Sequence, residues 1–163
     1  MSISGKPEYP PLLPAGLHSM SLSEVKKRCV TDFVQAENRS SIMAGLEAAV
    51  KKLIDVGIQG ELWVDGSFLT EKIDPKDVDL LLRINAEFAD NATKEQEETL
   101  EWFEKGLSDF YRCDSYVWRE YSPGHTLHVL SEAERIYWTG WFGRSRSGHP
   151  KGIAVVAIPK GAL

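Results

Sequence analysis

Two short runs near the middle of the chain have residue types and spacing suited to phosphate and metal chemistry. In WVDGSFLTEKIDPKDVDLLL, residues 63–82, Gly66-Ser67 directly follows a β-forming stretch, and Asp77-Val78-Asp79 opens a second one ten residues later. A glycine lets backbone approach a phosphate without a side chain in the way. The serine after it can start a helical turn and donate its hydroxyl to a phosphate oxygen. Two carboxylates two residues apart on a strand point the same way, close enough to share one divalent cation or a pair of them. Without a cation they would repel each other. Singly, each run has an ordinary explanation: a strand-ending turn for Gly66-Ser67, a solvated strand face for Asp77 and Asp79. Their order and spacing together favour a phosphate- and metal-binding site.

Hydrophobic periodicity supplies the elements that must hold these residues. Leu62, Trp63 and Val64 predict a strand over 61–68 that breaks at Gly66. A second strand over 77–84 places Asp77, Asp79, Leu81 and Arg83 on one face and Val78, Leu80, Leu82 and Ile84 on the other, so the aliphatic face is core. Ile42, Leu46, Ala49, Val50, Leu53 and Ile54 recur at helical spacing, which predicts a core helix over 37–56 ended by Gly57. Ser21 or Ser23 can cap a short helix over 22–30. Thr93 and Gln96 have capping-box spacing at the head of a helix over 93–110, with a stripe of Leu100, Phe103, Leu107 and Phe110. A third strand over 114–121, a helix over 131–141, a basic loop over 143–151 and a last strand over 152–158 complete the pattern. Pro7, Pro10, Pro11 and Pro14, with Gly5 and Gly16, make residues 1–20 an extended arm. The expectation is an α+β fold: a mixed sheet of about four strands flanked by helices, as a single domain over 21–163 behind that arm.

At 163 residues, with 42% hydrophobic and 26% charged, the chain suits one folded domain and not a disordered tail. No apolar run approaches the ~20 residues that span a bilayer, and no basic-then-apolar leader opens the sequence. The two cysteines, Cys29 and Cys113, are read as reduced, so the expected setting is cytoplasmic without a membrane partner. The net charge of -5 argues against holding nucleic acid by bulk charge alone. That charge is uneven: residues 61–104 carry thirteen acids and four bases, while residues 133–163 carry five bases and one acid. An acidic middle opposite a basic tail suits carboxylates that collect metal ions and a cationic strip that meets a phosphate-bearing ligand. RNA is a possible partner of that tail, to be recognised by steep loss of affinity with salt.

Other residues divide between function and structure. Lys72 and Lys76 could neutralise a triphosphate, and surface solubility explains them equally well. Arg144, Arg146 and Lys151, in FGRSRSGHPKG, stand beside small residues that permit close ligand approach and could bind phosphate. Trp138, Trp141 and Phe142 could stack a base, yet helical spacing favours core packing. His125 and His128 lack a third soft ligand for zinc, Cys113 reads as a small buried residue, and Glu95, Glu97, Glu98, Glu101 and Glu104 read as a solvated helix face. Asp65 has no interpretation from sequence.

Gly66, Ser67, Asp77 and Asp79 match the signature of the DNA polymerase beta-like nucleotidyltransferase superfamily, which the chain resembles. Its members carry a Gly-Gly or Gly-Ser turn after the first core strand and Asp-x-Asp on the second. LLPAGLH, GSFLTEKIDPKDVD and WFGRSRSGHPKGIAVVAI further resemble a small uncharacterised bacterial nucleotidyltransferase-like family. The resemblance implies a third carboxylate on a later strand, for which Asp114 is the best candidate and Glu120, by strand parity, a weaker one. It implies that Asp77, Asp79 and Asp114 hold Mg²⁺ or Mn²⁺ while a nucleotidyl group passes from a nucleoside triphosphate to an acceptor. Gly66, Ser67, Lys72, Arg144, Arg146 and Lys151 would then contact the nucleotide. The acceptor stays open: an RNA end, a protein side chain or a small molecule. So does the setting, which the resemblance extends to toxin-antitoxin or phage-defence pairs, with a partner protein or a second copy completing acceptor recognition. The alternative is a catalytically degenerate fold that binds nucleotide or a partner without turnover.

Overall fold

Alternating aliphatic residues build the centre of the sheet, as the pattern of residues 77–84 requires. The computed structural model describes residues 7–105, 107 and 111–159. Its strands are β1 (Gly16–Ser19), β2 (Gly60–Asp65), β3 (Val78–Asn85), β4 (Cys113–Glu120) and β5 (Gly152–Ile158). They form one mixed sheet in the order β1-β5-β2-β3-β4. The pairs β1/β5 and β3/β4 are parallel, and β2 runs antiparallel to both β5 and β3. The fold is therefore α+β, with five strands where about four were expected. The additional strand, β1, comes from the end of the proline-rich arm. Its four residues are partly or fully exposed and carry no period-2 pattern, so only pairing with β5 identifies it.

Of the expected extended arm, residues 1–6 lie outside the described residues, and residues 7–15 hold no helix and bend at Leu12, Leu13 and Ala15 before β1. Residues 10–12 run beside 69–71: Leu12 N–H donates to Leu69 O at 2.8 Å and Glu71 N–H to Pro10 O at 2.9 Å.

Five helices are described: α1 (Leu22–Lys26), α2 (Glu37–Asp55), α3 (Ala86–Asp90), α4 (Lys94–Lys105) and α5 (His128–Phe142). Ser21 caps α1 through a reciprocal box with Glu24, and α1 passes into a π-helical turn over Lys27–Thr31. Thr93 and Gln96 form the expected box: Thr93 N–H donates to the Gln96 side chain at 3.0 Å, and Gln96 N–H to Thr93 Oγ1 at 3.2 Å. Phe110, expected at the end of that helix, lies outside the described residues.

Both faces of the sheet are covered. Leu62, Val64, Leu80, Leu82, Ala154 and Val156 on one face meet Ile42, Leu46, Ala49 and Leu53 of α2 and Leu100 and Phe103 of α4. Each such aliphatic side chain contributes about 1.5–3 kcal/mol on burial. The opposite face carries a smaller cluster of Trp63, Leu81, Trp118, Ile153 and Val155, closed by Phe142 at the end of α5. Leu81, expected on the polar face of β3, is thus buried, because α5 covers part of that face. No helix among the described residues is long and apolar enough to cross a membrane.

Candidate functional site

Strand register brings carboxylates from three strands into one row. Asp65 of β2 lies opposite Asp79 of β3, and Asp79 lies opposite Asp114 of β4. Residues directly opposite on neighbouring strands share a face, so the row sits at one end of the face that α5 covers. Asp77 immediately precedes β3, and its charge acts on Asp79 together with that of Asp114. Burial first, then repulsion from these two, pushes the Asp79 carboxyl up to about 6, against the pull of Lys151 and Arg146. Asp65 is only 1% exposed, and neither of its oxygens has a hydrogen-bond partner. The Lys151 ammonium stands 3.4 Å from its Oδ1, but burial dominates and pushes Asp65 up to about 8. Tyr116 donates its hydroxyl to Asp114 Oδ2 at 3.2 Å; burial, then the Asp114 charge, raises the phenol to about 12.

The turn beside this row depends on glycine. Gly66 has φ 87° and ψ -165°, a region that L side chains avoid. A Cβ there would also stand 2.8 Å from Asp79 Oδ2 and 3.2 Å from Asp79 N. The chain then makes one short helical turn, Ser67–Leu69, closed by Leu69 N–H on Gly66 O and by the Thr70 hydroxyl on Ser67 O at 2.7 Å. Gly66→Ala is expected to cost about 1–3 kcal/mol in strain and to displace the Asp79 carboxylate. A lowered melting temperature is the result to look for, and a wild-type value would contradict the close approach.

From below, the turn is held by Arg39 of α2, which is fully buried. Its guanidinium donates to Phe68 O at 2.7 Å, Thr70 O at 2.8 Å, Cys29 O at 3.0 Å and Lys72 O, and lies over the ring of Phe33 at 3.7 Å.

Carboxylates, turn and basic loop line a single cleft of about 1160 Å³. Gly66, Ser67, Lys72, Asp77, Asp79, Asp114, Arg144, Arg146 and Lys151 all contribute to its wall, as do Lys76 and Trp141. Segments far apart in sequence close its rim. The arm contributes Pro7 to Pro11, and Glu8 accepts hydrogen bonds from Ser147 N–H at 2.8 Å and Ser147 Oγ at 2.6 Å. These bonds hold the Glu8 carboxyl below its ordinary value and tie the arm to the basic loop. Inside the loop, Arg144 Nη1 donates to Gly148 O at 3.0 Å, and Ser145 N–H to His149 O at 2.8 Å.

The family model for DUF6932, a family of unknown function, matches residues 7–157, from the arm to the last strand. The chain belongs to that family. No curated protein and no solved structure matches it. Every residue named above as lining the cleft falls within the matched segment.

Several sequence candidates stand elsewhere. Glu120, the weaker choice for a third carboxylate, is engaged by Arg83 at 2.8 Å and Arg135 at 2.9 Å, so two cations already satisfy it. His128 bonds Tyr121 O at 2.9 Å and lies 3.1 Å from Glu132 Oε1, while His125 stacks on Tyr121. Cys113 is buried, which pushes its thiol up to about 12. The five glutamates of α4 are exposed. Phe142 is core and Trp138 half-buried, whereas Trp141 reaches the cleft.

Asp65 and Arg39 were not singled out by sequence. Their signals were positional: Asp65 shares strand parity with Trp63 and abuts Gly66, and Arg39 is in phase with the buried stripe of Ile42, Leu46 and Leu53.

Among the described residues, no three His, Cys, Asp or Glu side chains are gathered into a ready metal cage. The donor chemistry nevertheless fits a hard divalent cation: carboxylate oxygens on adjacent strands, mutually repelling, beside the buried Asp65, whose Oδ1 faces the Lys151 ammonium.

Proposed function

We propose that the cleft is the site of metal-dependent nucleotidyl transfer: an acceptor hydroxyl oxygen bonds to the α-phosphorus of a nucleoside triphosphate, the bond to the β-phosphate breaks and pyrophosphate leaves. The observation that carries this reading is the in-register row Asp65, Asp79 and Asp114 beside the Gly66 turn, facing a cationic loop across one cleft. Asp77, Asp79 and Asp114 are the residues that would hold Mg²⁺ or Mn²⁺, which when bound neutralises charge developing on the transferred phosphoryl group. Gly66 admits the phosphate chain, and the Ser67 hydroxyl and nearby N–H groups are its donors. Lys72, Arg144, Arg146 and Lys151 supply positive charge to the triphosphate from the wall and the loop. Such transfer depends mainly on positioning and charge neutralisation, so a cleft with no covalent nucleophile is sufficient. Asp114 would help an acceptor hydroxyl lose its proton, and it accepts a hydrogen bond from the Tyr116 hydroxyl.

A second reading, nucleotide binding without turnover, is favoured by one observation: the carboxylates are not gathered into a cage. One experiment separates the two. Purified protein is incubated with Mg²⁺ or Mn²⁺ and each α-labelled nucleoside triphosphate, with RNA, the protein itself and small hydroxyl compounds as acceptors. Transferred label that disappears in Asp79→Asn supports transfer. Metal-dependent binding without label transfer supports the binding module. Folded protein that neither binds nor transfers overturns both.

A further inference from the structure

Helix α5 turns one face to the sheet and leaves an apolar face outside. The inner positions are Ser131, buried and accepting a bond from Tyr121 N–H, Arg135 on Glu120, and Phe142 in the core. Glu132 and Thr139 are the polar residues among the exposed positions, and the others are apolar or small, unlike a solvated helix face. Ile136 is 75% exposed, Val129 71%, Tyr137 63%, Leu130 52% and Trp141 44%. At the ~150–250 Å² that one aromatic side chain can bury, these five present roughly 600 Å² of apolar surface. That is at the top of the ~300–600 Å² of the largest patch on a typical monomer, and close to the ~800 Å² each partner contributes to a standard interface.

The pattern inside this face identifies the occupant. Leu130, Ala133, Tyr137 and Gly140 follow one another at spacings of three, four and three, the seam spacing of paired helices. Large and small side chains alternate along it. When a second copy of the helix is laid antiparallel about a two-fold axis level with residue 135, Leu130 comes opposite Gly140 and Tyr137 opposite Ala133. Each knob then has a hole, and symmetry repeats both pairs. Gly140 offers open space, since a Cβ there would meet nothing within 4 Å. A membrane surface is a poorer fit, because the charged residues of α5 are two glutamates and one arginine, and that arginine is engaged by Glu120.

We infer that the outer face of α5 is an isologous dimer interface, closed by α5 of a second copy of this chain. In that arrangement Val129 of the second copy comes opposite Trp141, so the dimer adds a wall to the mouth of the cleft. The inference does not depend on what the cleft binds.

Sedimentation velocity on the full chain tests it, over a range of micromolar concentrations. The parent is expected at twice 18.3 kDa. Tyr137→Glu is expected at 18.3 kDa with unchanged far-UV circular dichroism. Gly140→Lys is the second variant: the open space in its own chain and its gain in helix propensity keep the monomer folded, while the added side chain blocks close approach. Loss of the dimer in both variants supports the inference. A monomeric parent overturns it, and so does a dimer that survives either folded variant.

Discussion

Arg39→Ala is expected to lower the free energy of unfolding by about 3–5 kcal/mol, from the loss of a buried hydrogen-bond network made by the two terminal nitrogens of the guanidinium. The guanidinium is the common donor for four carbonyl groups from two segments, the end of the π-helical turn and residues 68–72. Truncation removes all those donors while leaving the acceptors buried, at about 1–3 kcal/mol for each one left unsatisfied. It also removes a flat cation lying over Phe33 and Phe68. No carboxylate pairs with Arg39 among the described residues, so no buried anion is left behind to add a further penalty. Arg39→Lys keeps the charge but loses the planar fork, so a loss intermediate between parent and alanine is expected. Urea unfolding measures both. An Arg39→Ala protein within about 1 kcal/mol of the parent would mean that water replaces the guanidinium, and the account of the turn would then fail.

On the proposed function, Asp77→Ala combined with Asp79→Ala is expected to weaken metal-assisted nucleotide binding at least ~30-fold, or about 2 kcal/mol. The same change is expected to make the protein more stable near neutral pH. Asp79 has its carboxyl raised from 3.8 to about 6 in the folded state. Between those values the folded chain binds more protons than the unfolded chain, so stability falls as pH rises from 3.8 to about 6 and stays lowered above it. At ~1.4 kcal/mol per unit, reduced by solvent screening at a partly exposed group, this penalty is about 1–3 kcal/mol. Removing the carboxyl removes the penalty. Thermal melts at pH 7.5 and below pH 4 check the sign: the variant should gain at the higher pH and show no such gain at the lower. Equal affinity for nucleotide with Mg²⁺ in parent and variant would refute the assignment of these residues, whatever the melts show.

Local chemistry was legible wherever one element sufficed to express it. The alternation of Val78, Leu80, Leu82 and Ile84 against Asp79 and Arg83 is a property of one strand, and it holds in the structure. The Thr93–Gln96 capping box read correctly, because a box needs only four consecutive residues. β1 was missed because a short edge strand takes its identity from hydrogen bonds to a segment more than a hundred residues away. Arg39 was passed over because its carbonyl partners lie on other segments, and the outer face of α5 because periodicity marks an apolar stripe without saying which way it points.

By itself, the order of residues determined that Asp79 lies on the strand face opposite the aliphatics, that Gly66-Ser67 ends the preceding strand, and that basic residues gather near the end of the chain; the strand expected to open at Asp77 opens at Val78, so Asp77 stands just before it. Only the tertiary structure decided that these segments, with the arm, line one cleft, and that Asp65 and Asp114 complete a row with Asp79. The physical reason is that side-chain direction within an element follows from backbone period, which sequence carries, whereas register between strands follows from how several elements bury their apolar faces at once.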